Sequence, residues 1–414
     1  MNKNIEFLTI YGEAGTGKSH YLANLIIQSY IKDEQFIVLT ATHKTLENIY
    51  QICKKLNPNI ERSNFKTIFS FFRIDYINNI VLGAFYLPSI IYIDEFGLVD
   101  KNLFEKCLFS MRLSESLKII LAGDVLQLNP VNVETNVNFS QLKKHLIEKV
   151  PASIQVNVIE HYYNNLFSEN YVQKNEKKLL TKNYRSEDKI MKIINNLYKE
   201  DIIDNELYKF VCLSDVLKKI NNENYVVLAS RYKILQLIYD RLYENNKDKY
   251  TVVIDQKVSF RLSYKRLYLY KDMELMITTN SVDKKTNKLN YYNGQIVIFT
   301  GEIEHNCLKC LMKDTDDTSY VYIEQLENSE HANSQLYYPV SPTNLISIHK
   351  SQGYSIDSVI VCIDEMFDMS LVYTAITRCK NNLLFYTKES NYIDQLIKES
   401  YRDDIKHLRK TFLE

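Results

Sequence analysis

Residues 5–19 read IEFLTIYGEAGTGKS. An apolar, β-rich run stops at Gly12 and gives way to G-x-x-x-x-G-K-S over residues 12–19. Tyr21, Leu22, Leu25, Ile26 and Ser29 then follow at helical spacing. A strand, a glycine-rich loop and a helix in that order wrap backbone N–H groups around a phosphate at a helix N-terminus. In such a loop Gly12, Gly15, Thr16 and Gly17 form the cradle. Lys18 reaches the β- and γ-phosphates, and the Ser19 hydroxyl is a ligand for Mg²⁺. A bland glycine-rich turn needs neither this spacing nor these flanks, so the stretch predicts an α/β fold that binds ATP or a similar nucleotide.

Glycine usage supports the reading. The chain has nine glycines in 414 residues, about a third of the ~7% average usage. Three of the nine lie between Gly12 and Gly17. A chain so short of glycine keeps it where no side chain fits.

Working outward, apolar runs recur at FIVLTA (36–41), SIIYIDE (89–95), LKIILAGD (117–124), YVVLAS (225–230) and DSVIVCID (357–364). Buried runs alternating with helical spacing predict parallel sheets flanked by helices. Residues 255–344 differ, with short β-like pieces such as YYNGQIVIFTG and VYIEQL. They read as a small β domain of SH3 or OB type. The segment 132–180 is rich in Asn and Lys with little period, and reads as irregular surface and connector.

SIIYIDE ends a buried strand in two carboxylates. Beside a P-loop, Asp94 holds Mg²⁺ and Glu95 orients and deprotonates the attacking water. LKIILAGDVLQLNPV ends a third strand with Gly123, Asp124, Gln127 and Pro130. A glutamine there could sense the γ-phosphate, but a plain strand-turn reads equally well from that segment alone.

Bulk properties set the class. Length predicts two to four domains. Hydrophobic residues make up 45% and charged residues 25%, the profile of a soluble globular chain. No run reaches the ~18 apolar residues of a membrane span. The start lacks the pattern of a signal peptide, so an intracellular, soluble protein of cytoplasm or nucleus is expected. A composition rich in Lys, Asn and Ile hints at an AT-rich genome such as a virus or phage. Net charge is zero, from 51 basic and 51 acidic residues; this neither favours nor excludes a nucleic-acid partner, because a local groove can be basic in a neutral protein. Cys307-Leu-Lys-Cys310 has no second pair at zinc spacing. The chain has no Trp but 32 Tyr and 18 Phe, so any base stacking would fall to those two types.

The order of motifs resembles superfamily 1 DNA helicases, in particular the Dda, RecD and Pif group. GEAGTGKS (12–19) resembles motif I, IDEFG (93–97) motif II and GDVLQLNPV (123–131) motif III. TKNYRSED (181–188) resembles motif IV, ISIHKSQGYSID (346–357) motif V and VYTAITRCK (372–380) motif VI. ATHKTLENI (41–49) is similar to motif Ia, TIFSFF (67–72) to the motif that follows it, and NYYNGQIVIFTG (290–301) to the segment before motif V. The match spans nearly the whole chain in order.

The resemblance implies two RecA-like lobes, at 1–180 with a small insert at about 70–90, and at 181–254 with 345–414, the β domain of 255–344 being inserted in the second. It implies ATP hydrolysis between the lobes and 5′-to-3′ travel on single-stranded DNA or a forked duplex. Arg185 and Arg378 would meet the γ-phosphate from the second lobe, and Gln352 and Gly353 would lie near the phosphates. Thr42, His43, Lys44, Thr67, His349, Lys350 and Ser351 would lie near the strand's backbone. A monomer is favoured, with replication or repair proteins as conceivable partners. An RNA helicase and an inactive nucleotide-binding scaffold are the alternatives; intact Lys18, Ser19, Asp94, Glu95, Arg185 and Arg378 weigh against the scaffold.

Three departures from the pattern stand out. Phe96 follows the acidic pair where relatives carry small residues. Phe69 replaces a histidine. No upstream adenine-reading glutamine motif precedes Gly12, which leaves strict ATP preference open. Phe71, Phe72, Tyr76, Phe85 and Tyr86 are candidates for a strand-splitting pin, with aromatic core as the stronger reading.

Overall fold

The structure, a computed structural model, describes residues 4–75, 80–81, 88–99, 116–124, 127, 172–199, 209–260, 263–282, 289–313, 319–328, 335–364, 366 and 369–387. These residues divide between two compact units that meet in sequence at Arg185 and Ser186.

The first unit is a parallel sheet of β1 (Asn4–Tyr11), β2 (Phe36–Thr40), β3 (Phe65–Thr67), β4 (Ile90–Asp94), β5 (Ser116–Gly123) and β6 (Val172–Leu179). Their order is β3-β2-β4-β5-β1-β6, and every pairing is parallel. Every residue of β2 and β4 is buried, as a strand covered on both faces requires. Helix α1 (Lys18–Ile31) buries Leu22, Ala23, Ile26 and Ser29, one stripe at helical spacing, against a core that includes Ile10, Val38, Tyr92 and Ile120. Helix α2 (His43–Leu56) starts at Thr42, whose hydroxyl accepts from the Thr45 N–H at 3.2 Å.

Strand β6 corrects the reading of 132–180 as wholly irregular. Its sequence, VQKNEKKL, is polar because among the described residues β6 is the edge of the sheet and pairs with β1 alone. Charged side chains on an edge deter further pairing, and they erase the apolar signal that sequence reading relies on. Phe71 and Phe72 are core residues, edge-to-face at 4.9 Å. Tyr76, Phe85 and Tyr86 lie outside the described residues.

The second unit starts with α3 (Asp188–Lys199), β7 (Phe210–Val211), α4 (Leu213–Glu223), β8 (Val226–Ala229) and α5 (Tyr232–Asn245). A hairpin of β9 (Val252–Asp255) and β10 (Arg266–Leu269) follows. Then come β11 (Glu274–Ile277), β12 (Ile296–Glu304), β13 (Cys307–Met312), β14 (Tyr320–Glu324) and β15 (Val340–Pro342). They form an antiparallel sheet in the order β14-β13-β12-β11-β15. The chain returns through β16 (Leu345–Ser347), β17 (Ile356–Cys362), α6 (Met369–Ile376) and β18 (Cys379–Tyr386). These strands complete a parallel sheet ordered β16-β8-β17-β18-β7. The architecture is therefore α/β, two RecA-like parallel sheets with helices, the second interrupted by β structure.

One apolar cluster joins the β insertion to the parallel sheet of its unit. It runs from Val227 and Ile360 through Leu235 and Tyr239 on α5 to Leu267, Leu275, Phe299 and Ile323. Several of the many tyrosines are spent here. Tyr239 donates to the Tyr268 carbonyl, and Tyr243 stacks on Tyr268 at 4.1 Å and 10°. Cys307 and Cys310 are three apart on β13, so they point to opposite faces of the strand.

Candidate active site

Parallel strands deliver their C-terminal ends to one edge of the sheet, where α/β folds place ligand chemistry. In the first unit that edge carries the P-loop after β1, Thr42 after β2, Thr67 at the end of β3, Asp94 at the end of β4, Asp124 after β5 and residues 180–185 after β6.

The loop's backbone explains its glycines. Gly15 and Gly17 have φ of 84° and 82°, in the left-handed region. Lys18 opens α1, and its Nζ donates to the carbonyls of Gly12 at 2.8 Å and Glu13 at 2.7 Å. Thr16 Oγ1 donates to Glu13 O at 2.7 Å. Lys18 is buried. That burial pushes its ammonium below the usual value; Asp124, Glu95 and Asp94 oppose the shift, and Arg185 adds to it. A buried ammonium ringed by carboxylates and a guanidinium is poised for a polyanion.

Asp94 is buried at the end of β4. Burial, together with the adjacent Glu95 charge, raises its pKa well above the usual carboxylate range. A hydrogen bond with Ser19, the Glu95 N–H at 3.1 Å and the Lys18 charge all pull it back. Glu95 sits at φ 50°, ψ 45° and caps a helical turn over Phe96–Leu98. A non-glycine residue in this region persists when its surroundings over-determine it.

Two contributors acquire their roles only in the structure. Asp124 is the foremost carboxylate partner of Lys18, and its Oδ2 accepts from Gln127 Nε2 at 3.2 Å, both residues being buried. Their signal was a Gly-Asp ending a third apolar strand. Asn183 donates from Nδ2 to Ala14 O and accepts at Oδ1 from the Arg185 N–H, each at 2.8 Å, while the Tyr184 N–H donates to Gly15 O at 2.8 Å. Residues 183–185 thus lie along the P-loop, within the first unit. Arg185, expected from the second lobe, is placed here because β6 pairs with β1 and delivers it beside the loop. The Tyr184 ring is 70% exposed and faces Gly17, with Lys182 Nζ 5.0 Å from its centroid.

Among the residues expected near a nucleic-acid strand, Thr42 and Thr67 act as helix caps. His43 is half-buried, and burial with the Arg62 charge lowers its pKa. Lys44 lies beside it on the first turn of α2.

In the second unit, His349–Ser351 form a helical turn after β16. His349 is exposed, while Ser351 is buried and donates to Ile348 O at 2.7 Å. Lys350 is half-buried by surface area, yet its ammonium is enclosed 5.6 Å from the Tyr232 ring, which lowers its pKa to about 7. Gln352 Nε2 is buried without a hydrogen-bond partner among the described residues, and Gly353 has φ 79°. Arg378 is 1% exposed; its Nε donates to Thr374 O and its Nη2 to Thr377 Oγ1, both at 3.2 Å.

A P-loop, a strand-end Asp-Glu pair and a second parallel sheet carrying a further arginine motif define a P-loop ATPase of two RecA-like lobes. Comparison with known proteins narrows this. A family model described as an AAA domain matches residues 2–131. The ATP-dependent DNA helicase Pif1 of Campylobacter jejuni is 25% identical over 438 residues, covering 92% of this chain and 89% of that protein. Bacteroides Pif1 bound to single-stranded DNA superposes with a TM-score of 0.61 at 17% identity, over 99% of this chain and 94% of that one. Pif1 from Candida albicans gives 0.57 at 16% identity, over 98% and 95%. The chain thus resembles ATP-hydrolysing helicases of superfamily 1, the Pif1 group in particular.

Proposed function

We propose that the chain moves 5′-to-3′ along single-stranded DNA and separates strands at a fork, driven by ATP hydrolysis at Lys18, Glu95 and their neighbours. The observation that carries this is the convergence of the P-loop, Asp94–Glu95, Asp124–Gln127 and residues 183–185 around one buried ammonium, in a chain similar over its length to a DNA helicase. Solved relatives of the same fold are described with single-stranded DNA and with forked duplex. The direction of travel rests on the resemblance.

Lys18 and the loop N–H groups of Gly15, Thr16 and Gly17 hold the phosphates. Ser19 and Asp94 fit a Mg²⁺ ion, because a hydroxyl hydrogen-bonded to a buried carboxylate is a hard-oxygen donor set. When bound, the ion neutralises charge between the β- and γ-phosphates. Glu95 takes the proton of the attacking water. Gln127, fixed by Asp124, reports the state of the γ-phosphate. Arg185 compensates the developing charge as a guanidinium does, a role the resemblance implies for Arg378 as well. Gln352 carries a buried amide nitrogen with hydrogen-bonding capacity to spare, and Gly353 follows it. The exposed Tyr184 ring beside Gly17 offers a stacking face for the base.

His43, Lys44, His349 and Lys350 supply cationic or imidazole donors to phosphate oxygens. Thr42 and Thr67 accept backbone N–H bonds at their hydroxyl oxygens, which does not use the hydroxyl protons, whereas Ser351 donates its own to Ile348 O. Duplexes bearing a 5′ or a 3′ DNA overhang, with matched RNA overhangs, test the proposal. Unwinding of the 5′ DNA-tailed substrate alone is expected. Preference for the 3′ tail overturns the polarity, and preference for RNA overturns the substrate.

A further inference from the structure

We infer that Phe96 is a positioning residue for hydrolysis: its ring fills the space a side chain would take at Gly123, and so locks Glu95 in its left-handed turn against the Asp124–Gln127 segment. The inference rests on the role proposed above for Glu95.

The geometry runs in both directions from the ring. Phe96 is 3% exposed. A Cβ built at Gly123 would lie 2.8 Å from Phe96 Cδ1 and 2.9 Å from Cε1, inside any real contact. The ring therefore rests directly on the backbone of β5, one residue before Asp124. A Cβ at Gly97 would lie 3.5 Å from the Asp124 carbonyl, so the turn touches the same segment a second time. Within the turn, the Leu98 N–H donates to Glu95 O at 3.0 Å and the Val99 N–H to Phe96 O at 2.9 Å. The Glu95 N–H is held by Asp94 Oδ1 at 3.1 Å.

Glu95 needs that support. At φ 50° its Cβ crowds its own backbone, and an extended conformation is open to it unless the next residue is anchored. The anchor is an aromatic ring seated on a glycine. A small residue at 96 would leave the space beside Gly123 empty and release the carboxylate to swing. Misplacement of a catalytic group by about 1 Å costs on the order of 10²-fold in rate. Because the hydrogen bonds of Lys18 and Thr16 are made within the P-loop and not to the Phe96 turn, ATP binding should be left alone.

The test compares Phe96→Ala, Phe96→Leu, Gly123→Ala and the double variant Phe96→Ala/Gly123→Ala with the unaltered chain. Steady-state ATPase kinetics and affinity for a fluorescent ADP are measured well below each melting temperature. For Phe96→Ala, kcat is expected to fall on the order of 10²-fold, with KM and ADP affinity within about twofold. Phe96→Leu restores most of kcat. Gly123→Ala is impaired because its methyl meets the ring, and in the double variant its loss does not add to that of Phe96→Ala, because the methyl then meets no ring. A folded Phe96→Ala with normal kcat, or a loss confined to KM, overturns the inference. Should Phe96→Ala fail to fold, Gly123→Ala decides instead, and a folded Gly123→Ala with normal kcat overturns the inference. Glu95→Gln separates the underlying reading: if it hydrolyses ATP normally, the role of Glu95 fails whatever Phe96 does.

Discussion

Replacing Gly12 by alanine tests how tightly residues 180–185 are fitted to the P-loop. The new Cβ would lie 2.2 Å from the Leu180 carbonyl oxygen, where ordinary contact starts at 3.4 Å. The two segments must open by about 1.2 Å, the difference between those distances. The Leu180 N–H donates to Tyr11 O at 2.8 Å, and such an opening breaks that bond. Its loss costs about 1 kcal/mol. The φ of 154° at Gly12 adds about 1–3 kcal/mol for a residue with a side chain. A total of about 2–4 kcal/mol lowers Tm by roughly 5–15 °C for a unit of this size. The same opening shifts the Gly12 carbonyl that Lys18 holds, so KM for ATP rises. Thermal melting followed by ATPase kinetics reads both effects. Gly97→Ala is the control, since its Cβ would make an ordinary 3.5 Å contact. If Gly12→Ala melts within about 2 °C of the unaltered chain and binds ATP normally, the close apposition of the two segments is wrong.

Tyr184→Ala should raise KM for ATP several-fold and narrow the preference for ATP over a nucleotide with a smaller base, while Tyr184→Phe leaves both unchanged; competition between nucleotides reads this directly. Lys350 has a pKa of about 7, below its ordinary value, because its ammonium is enclosed. It loses its charge as pH rises through 7, so DNA affinity should fall between pH 6 and 8, and Lys350→Arg should flatten that profile. Stability runs the other way: the unfolded chain keeps the proton to about pH 10.5, so folding is favoured as pH rises between 7 and 10.5. Arg185→Lys should cut kcat more than ADP affinity, since a point charge cannot reproduce a guanidinium fork; equal losses in both would place Arg185 in ground-state binding.

The nucleotide site was legible because its parts obey local rules. Strand β1, its loop and α1 are contiguous, and β4 is a buried parallel strand whose apolar run ends in Asp94. What stayed hidden depends on long-range pairing. Strand β6 is polar because it is an edge, so nothing in VQKNEKKL announces that it delivers Asn183 and Arg185 to the P-loop. The expected boundary at 180/181 precedes Arg185/Ser186, where the two compact units meet in sequence, for the same reason. Asp124 stood out at the end of its strand, but its place beside Lys18 follows only from the register of β5 against β1, which sets Gly123 opposite Tyr11. The shared core beneath the β insertion comes from residues such as Tyr239 and Phe299, far apart in sequence. Phe96 stood out as a departure, but its partner Gly123 was visible only in three dimensions.

ATP hydrolysis measured with and without single-stranded DNA, alongside Lys18→Ala, tests the central claim most directly. Stimulation by DNA that disappears in Lys18→Ala is the predicted result. Hydrolysis indifferent to DNA, or none at all from folded protein that binds nucleotide, would contradict a DNA-driven motor.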